Sequence, residues 1–91
     1  MALTKETVVD KIEVLEMGQV QVRTATRVME DGVELSSSFH RHVLEPSTKA
    51  SGSWADTDIS GEDARVQAVA NATWTDSVKT AYQAMIDANS L

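Results

Sequence analysis

The dipeptide Asp31-Gly32 separates two stretches, residues 20–29 and 33–44, in which apolar side chains recur at every second position. Alternation of this kind is typical of β-strands that bury one face. Aspartate and glycine both tolerate the positive φ angles of a two-residue hairpin turn, so the dipeptide is a strong hairpin signal. Strict pairing across the turn sets Thr24 opposite Phe39, and cross-strand partners share a face. The sequence therefore predicts an antiparallel hairpin.

A third alternating stretch, residues 8–15, precedes the hairpin and is followed by Glu16-Met17-Gly18. A two-residue loop here would place polar residues opposite apolar ones, because a slip of one residue moves every side chain to the other face. A three-residue loop with a left-handed Gly18 sets Val14 opposite Val20 and keeps the apolar residues together. We therefore predict a three-stranded antiparallel β-meander over residues 8–44.

These registers divide the predicted sheet into an apolar face and a polar face. The apolar face carries Val8, Ile12, Val14, Val20, Val22, Val28, Leu35, Phe39 and Val43. The polar face carries Lys11, Glu13, Gln21, Arg23, Arg27, His40 and His42. Arg41 breaks the alternation, since strict pairing puts it on the apolar face. A bulge or a position at the rim of the sheet would explain it.

Residues 45–59 are predicted to form a loop. Pro46 ends the third strand because proline has no amide hydrogen to donate to a β-ladder. Ser, Thr, Gly and Ala dominate the residues that follow, and Trp54 is the one large apolar side chain between Ser47 and Asp58. An indole is costly to leave in water, so we expect Trp54 to lie under the loop or to contact a partner.

Residues 60–89 carry a helical pattern that begins at Ser60, a suitable N-cap followed by acidic residues. Apolar side chains then recur at helical spacing in two stripes. The stripes are Val66, Val69, Ala70 and Thr73, and then Val78, Ala81, Tyr82, Met85 and Ile86. Thr75 resembles a second N-cap, which predicts two helices with a break near Trp74. A single kinked helix is the alternative.

The predicted elements make one α+β domain, residues 1–91. A meander with one apolar face needs a cover, and two amphipathic C-terminal helices would supply it. In this prediction the meander spans 8–44, the loop 45–59 and the helical part 60–89.

Composition restricts the classes of function. The chain has no cysteine, which excludes disulfides, thiolate metal sites and cysteine nucleophiles. Eight basic residues against fourteen acidic ones give a net charge of −6, which disfavours binding to nucleic acid or anionic membranes. No apolar run approaches the roughly 18 residues of a membrane helix. The first residues also lack the pattern of a signal peptide, so synthesis and residence in the cytoplasm are expected.

The clusters that could carry chemistry have simpler structural explanations. His40 and His42 project from one strand face in the predicted sheet, and Glu13 could be a third metal ligand beside them. A solvated polar face is the favoured explanation, because two histidines without a clear third ligand are weak evidence for a metal. Paired carboxylates occur at Glu30-Asp31, Glu62-Asp63 and Asp56/Asp58, where turns and helix starts favour acidic residues. We predict no metal, no cofactor, no small-molecule substrate and no catalysis.

Several segments resemble a group of short proteins encoded by marine tailed bacteriophages of the cyanophage type. The segments are Gln21 to Thr26, Glu30-Asp31-Gly32, Ser38 to Leu44, and Asp58 to Asp63 with Val66-Gln67-Ala68. The resemblance extends from Ile12 to Tyr82. None of its motifs is a catalytic signature, so it implies a phage product without assigning a reaction or functional residues.

The expected function is that of a small structural protein of a phage particle, made in the host cytoplasm and then located in the virion. Its partners would be other virion proteins or copies of itself, with a tail-associated place favoured over a head-decorating one. The predicted partner-binding residues are Arg23, Arg27, His40, His42, Trp54 and Trp74, since arginine and tryptophan are enriched at binding hot spots. The alternative is a soluble binder outside the virion, such as an assembly chaperone or an inhibitor of a host protein. A metalloprotein built on His40 and His42 is the remote alternative.

Overall fold

A computed structural model of the chain describes residues 2–89. Its strands are β1 (Leu3–Val14), β2 (Val20–Glu30), β3 (Val33–Leu44), β4 (Ser47–Ala50) and β5 (Ser53–Asp56), and its helices are α1 (Ala64–Thr73) and α2 (Asp76–Ala88). Strands β1, β2 and β3 form an antiparallel sheet in that order, and β4 pairs with β5. The predicted α+β class, with an N-terminal meander followed by two helices, is confirmed.

Both predicted turns of the meander are present. Gly18 is left-handed, with a φ of 88°, and Val14 lies opposite Val20 as the three-residue loop requires. Asp31 and Gly32 have φ angles of 51° and 84°, the pair of positive values expected of a type I′ hairpin. The local turn chemistry therefore determines the order and direction of the strands.

The predicted register between β2 and β3 is wrong by one residue beyond the turn. A bulge leaves Leu35 without a partner, so Val28 pairs with Ser36 and Thr24 pairs with His40. Every β3 side chain after the bulge consequently lies on the face opposite to the predicted one. The bulge also explains Arg41, which lies opposite Arg23 on the polar side of the sheet.

The two faces of the sheet are therefore different from those predicted. The helix-side face carries Val20 and Val22 together with His40, His42 and Leu44. The open face carries Lys11, Glu13, Gln21, Arg23 and Arg27 as expected, together with Phe39, Arg41 and Val43. A second bulge, at Asp10 in β1, places Val8 opposite Ala25 on the open face.

Residues 47–56 form a β-hairpin, so the prediction of a loop over this segment is wrong. Ser51 and Gly52 make its turn, with φ angles of 52° and 80°. Tertiary contacts hold the hairpin against α2, where Lys49 pairs with Asp87 at 3.0 Å and Lys79 pairs with Asp56 at 2.9 Å. Short strands of this length depend on such contacts, because an isolated hairpin is marginally stable in water.

Two separate helices follow, as the stripe pattern predicts. Thr75 caps α2 by accepting a hydrogen bond from the amide of Val78. The cap of α1 is Asp63, which accepts from the amide of Arg65, and not the predicted Ser60. Ser60 instead donates its amide to the carboxylate of Asp58 at 2.9 Å in the turn before the helix.

The core lies at the Gly18 end of the sheet. Its buried members are Val20, Val22, Val66, Ala70 and Trp74, with Val9, Ile12, Leu44, Ile59, Val69 and Val78 packed around them. The indole of Trp74 is 8% exposed and donates to the carbonyl of Gly18 at 2.7 Å. The helices therefore cover only the end of the sheet that is nearest this turn.

The remaining sheet makes the molecule long. Its dimensions are 57 × 26 × 23 Å, and its radius of gyration is 17.0 Å. A compact domain of this length would have a radius of gyration of about 12 Å. The excess reflects the part of the sheet that extends beyond the helices.

Substituting Gly18 tests the packing of the β1–β2 turn against the helices. A Cβ atom at this position would lie 2.5 Å from Val78 Cγ1, in addition to the strain of positive φ. We expect Gly18→Ala to lower the free energy of unfolding by about 2–4 kcal/mol, as measured by chemical denaturation.

Gly52→Ala is the matched control, because Gly52 has a φ of 80° but nothing within 4 Å of its would-be Cβ. Backbone strain alone predicts a loss of about 1 kcal/mol there. Equal losses at the two positions would contradict the tight contact at Gly18.

Candidate partner-binding surface

The part of the sheet beyond the helices, here called the arm, comprises Leu3–Val8, Ala25–Glu30 and Val33–Phe39. Its β1 and β3 residues are exposed almost throughout, and its β2 residues are shielded mainly by the two strands beside them. Ala25 is the one buried residue of the arm, and no arm residue belongs to the cluster, as defined over residues 2–89, that packs against the helices. The arm therefore presents two open faces and two strand edges to solvent.

Apolar and cationic side chains alternate along β3 on the open face. Phe39 and Val43 are each 51% exposed, and Arg41 lies between them. The guanidinium of Arg23 lies over the Phe39 ring, 4.5 Å from its centroid. Exposed aromatic and arginine side chains in one patch have the composition of a protein–protein hot spot. We call Phe39, Arg41 and Val43 the open-face strip.

Ion pairs fix most of the other charges on this face. Arg23 forms two hydrogen bonds to Asp10, at 2.8 and 3.0 Å, and these bonds hold the pKa of the Asp10 carboxyl below its ordinary value. Arg27 lies between Glu6, at 3.7 Å, and Glu34, at 3.4 Å. The two arginines thus join all three strands across the open face.

Arg41 differs from its neighbours because it forms no ion pair or hydrogen bond with any described residue. Its charge acts only at longer range, where it adds to the effect of Lys11, which is the main cause of the lowered pKa of Glu13. An exposed guanidinium between two apolar side chains is thus left available to a partner.

The two histidines lie on the helix-side face, at the point where the arm leaves the helices. His42 Nε2 lies 2.8 Å from Glu62 Oε1, and the His40 and His42 rings stack with centroids 6.2 Å apart. Their predicted place beside Arg23 and Arg27 is wrong, because the Leu35 bulge moves them to the other face. The contact instead ties β3 to the turn before α1.

The arrangement also separates the three residues considered as candidate metal ligands. Glu13 lies on the open face, where it pairs with Lys11 at 2.8 Å, and so it points away from His42. Over residues 2–89, no group of three His, Asp or Glu side chains is placed to hold a metal ion.

The two tryptophans occupy different environments at the helical end. Trp54 is partly exposed and packs edge-on against Tyr82, with ring centroids 6.2 Å apart, and Lys49 Nζ lies 5.5 Å from its ring centroid. Trp74 is in the core and offers no surface to a partner. Trp54 remains a predicted partner residue, and Trp74 is removed from that set.

Sequence reasoning missed the open-face strip. Strict alternation assigned Phe39 and Val43 to the core, and the one signal against this was Arg41, which could not be buried there without a partner. Had the bulge been chosen to explain Arg41, the three residues would have been assigned to the open face together.

Other features of the surface are small. A notch of about 160 Å³ lies between the β1–β2 turn and α2, lined by Glu16, Met17, Ser77, Val78 and Ala81. Ligand pockets usually exceed about 300 Å³. No helix within residues 2–89 is long and apolar enough to cross a membrane.

Comparisons with known proteins identify no relative of this chain. Neither the family models, nor the curated proteins, nor the solved structures contained a significant match to this chain. The proposals below therefore depend on the chain's own residues and on the phage resemblance described above.

Tyr82 provides a spectroscopic test of how the β4–β5 end packs. Its hydroxyl donates to Glu45 Oε2, and burial, with that hydrogen bond and the Glu45 charge, raises the pKa of Tyr82 from 10.0 to about 12. Because the folded pKa is the higher one, Tyr82 stabilises the fold below pH 10, and this contribution is lost as the pH rises towards 12.

Tyr82 is the only tyrosine in the chain, so an ultraviolet absorbance titration reports it alone. We expect the folded protein to titrate near pH 12 and the urea-unfolded protein near pH 10. Glu45→Gln should lower the folded midpoint. Coincident titrations of the folded and unfolded chain would contradict the buried contact.

Proposed function

We propose that this chain is a small, non-enzymatic structural protein of a tailed bacteriophage particle, which binds other virion proteins through its arm and the adjoining open-face strip. The phage assignment comes from the sequence resemblance. The observation that carries the binding role is the uncovered arm, in which apolar side chains face solvent on a sheet that no helix covers.

Exposed apolar area supports a partner on physical grounds. Phe39 and Val43 on the open face, and Leu35 at the bulge, are each more than half exposed. Burying a large apolar side chain stabilises a complex by about 1.5–3 kcal/mol. A chain that leaves three such side chains on one strand in water gains that free energy only when something covers them.

The open face also supplies the charges that orient a partner. Arg41 forms no ion pair with any described residue, and Arg23 and Arg27 are held in fixed positions by their ion pairs. A carboxylate on the partner would pair with Arg41 while apolar groups on either side cover Phe39 and Val43. Preorganised side chains of this kind lose little conformational entropy on binding.

Localisation in the virion, and at the tail in preference to the head, forms part of this proposal. A soluble binder such as an assembly chaperone or inhibitor would use the same open-face strip. Presence in purified particles separates the two functions, because only a structural component remains after the particles are freed of lysate.

The test is mass spectrometry of gradient-purified particles of the phage that encodes the chain. We expect its peptides at a constant ratio to the major virion proteins across gradient fractions. Peptides present in lysate but absent from particles would contradict the structural role and favour the soluble binder.

A variant then tests the surface. Phe39→Ser combined with Val43→Ser should reduce incorporation at least about tenfold, because two anchors of the strip are lost. Ser36→Ala combined with Ser38→Ala changes the helix-side face of the same strand and should leave incorporation unchanged. Equal incorporation of both variants, each with an unchanged melting temperature, would place the contact elsewhere.

A further inference from the structure

The two edges of the main sheet are protected to different degrees. Five of the twelve β1 residues are charged, namely Lys5, Glu6, Asp10, Lys11 and Glu13, and the Asp10 bulge interrupts the edge. Charged residues and bulges are the usual devices that prevent an edge strand from pairing with another chain.

The β3 edge lacks most of this protection. Its only formal charges at neutral pH are Glu34 and Arg41, which cancel. Beyond the Leu35 bulge, the nine residues Ser36–Leu44 run without a further irregularity. In the part of the chain that the structure describes, β3 pairs with β2 alone. Its outer row of backbone amides and carbonyls is thus free to pair.

We propose that this edge pairs with β3 of a second copy, antiparallel, so that two three-stranded sheets become one continuous sheet. The proposal goes beyond the binding role above, because it concerns the edge of β3 and does not require the chain to be in the virion. A two-fold axis normal to the sheet relates the copies, and the interface is closed, because each copy uses its single unprotected edge.

Self-complementarity favours a second copy as the occupant. Centring the axis on His40 pairs the whole Ser36–Leu44 run with itself. Phe39 then lies opposite Arg41 of the second copy at two symmetry-related places. No two Lys, Arg, Asp or Glu side chains of like charge lie opposite each other. Guanidinium groups stack well on aromatic faces, and Phe39 already accepts Arg23 in this way within the chain. The pairing also supplies Arg41 with a neighbour.

The size of the exposed surface agrees with one missing partner. The chain exposes 6049 Å², which is about 850 Å² more than expected for a compact monomer of its mass. Each partner in an interface of standard size buries about 800 Å².

Sedimentation equilibrium tests the proposal on the full chain. We expect twice the chain mass of 9.9 kDa. His40→Lys should halve the observed mass, because two lysines would lie opposite each other at the axis. Thr7→Lys adds the same charge to the same face at the β1 edge, and it should leave the dimer intact. Circular dichroism confirms that both variants fold.

A cysteine variant supplies a second measurement, because the chain has no other cysteine. Directly opposed Cβ atoms in antiparallel strands lie about 4.5–5.5 Å apart, so His40→Cys should form a disulfide-linked dimer on mild oxidation. Thr7→Cys should remain monomeric on a non-reducing gel.

A wild-type chain that is monomeric throughout a dilution series, or a His40→Cys variant that does not cross-link, overturns the self-pairing. A wild-type dimer that His40→Lys does not dissociate also overturns it, since the contact would then lie elsewhere. The proposed function is contradicted by a different result, namely absence of the chain from purified particles. That result would not contradict a β3-paired dimer.

Discussion

The hydrogen bond from the Trp74 indole to the Gly18 carbonyl is the contact on which the rest of the arrangement depends. It joins the turn between the helices to the turn between β1 and β2 inside the core. Gly18 tolerates this approach because it has no Cβ, and a side chain there would collide with Val78. An N–H donor inside an apolar cluster must have an acceptor. The indole of Trp74 has its acceptor in the Gly18 carbonyl, so the helices are fixed at this end of the sheet.

Anchoring the helices at one end leaves the arm to be stabilised by other means. Its strands keep their ladder hydrogen bonds, and the ion pairs of Arg27 with Glu6 and Glu34 join all three strands on the open face, beside the Asp10–Arg23 pair. Exposed ion pairs contribute little to stability individually. Their larger effect is on geometry, because the pair with Asp10 holds Arg23 in one orientation over Phe39. The arm is therefore ordered enough to present a defined surface without a core of its own.

Local turn chemistry made most of the fold predictable. Positive φ at Gly18, Asp31 and Gly32 follows from residue type, and helical spacing identified both helices. The β4–β5 hairpin was missed because its stability depends on tertiary contacts of Trp54 and Lys49 with α2, although Ser51-Gly52 is a turn signal. The Leu35 bulge was missed because strict alternation gave an apolar face that was more complete than the real one. The open-face strip was missed for the same reason, because its residues lie on the open face only in the bulged register.

The Leu35 bulge also determines which β3 side chains pack against the core and which remain exposed on the open face. With strict pairing, Phe39 and Val43 would join Val20 and Val22 under the helices, and β3 would be a core strand. One unpaired residue moves them to the open face and brings His42 to Glu62 and Leu44 to the core instead. Leu44 packs against the core where strict pairing would place Val43, and Glu62 gives the His42 imidazole a hydrogen-bond partner. Bulges often redirect side chains in this way beside functional sites. A strand whose apolar side chains are turned outward in this way supports the proposal of a surface that a partner covers.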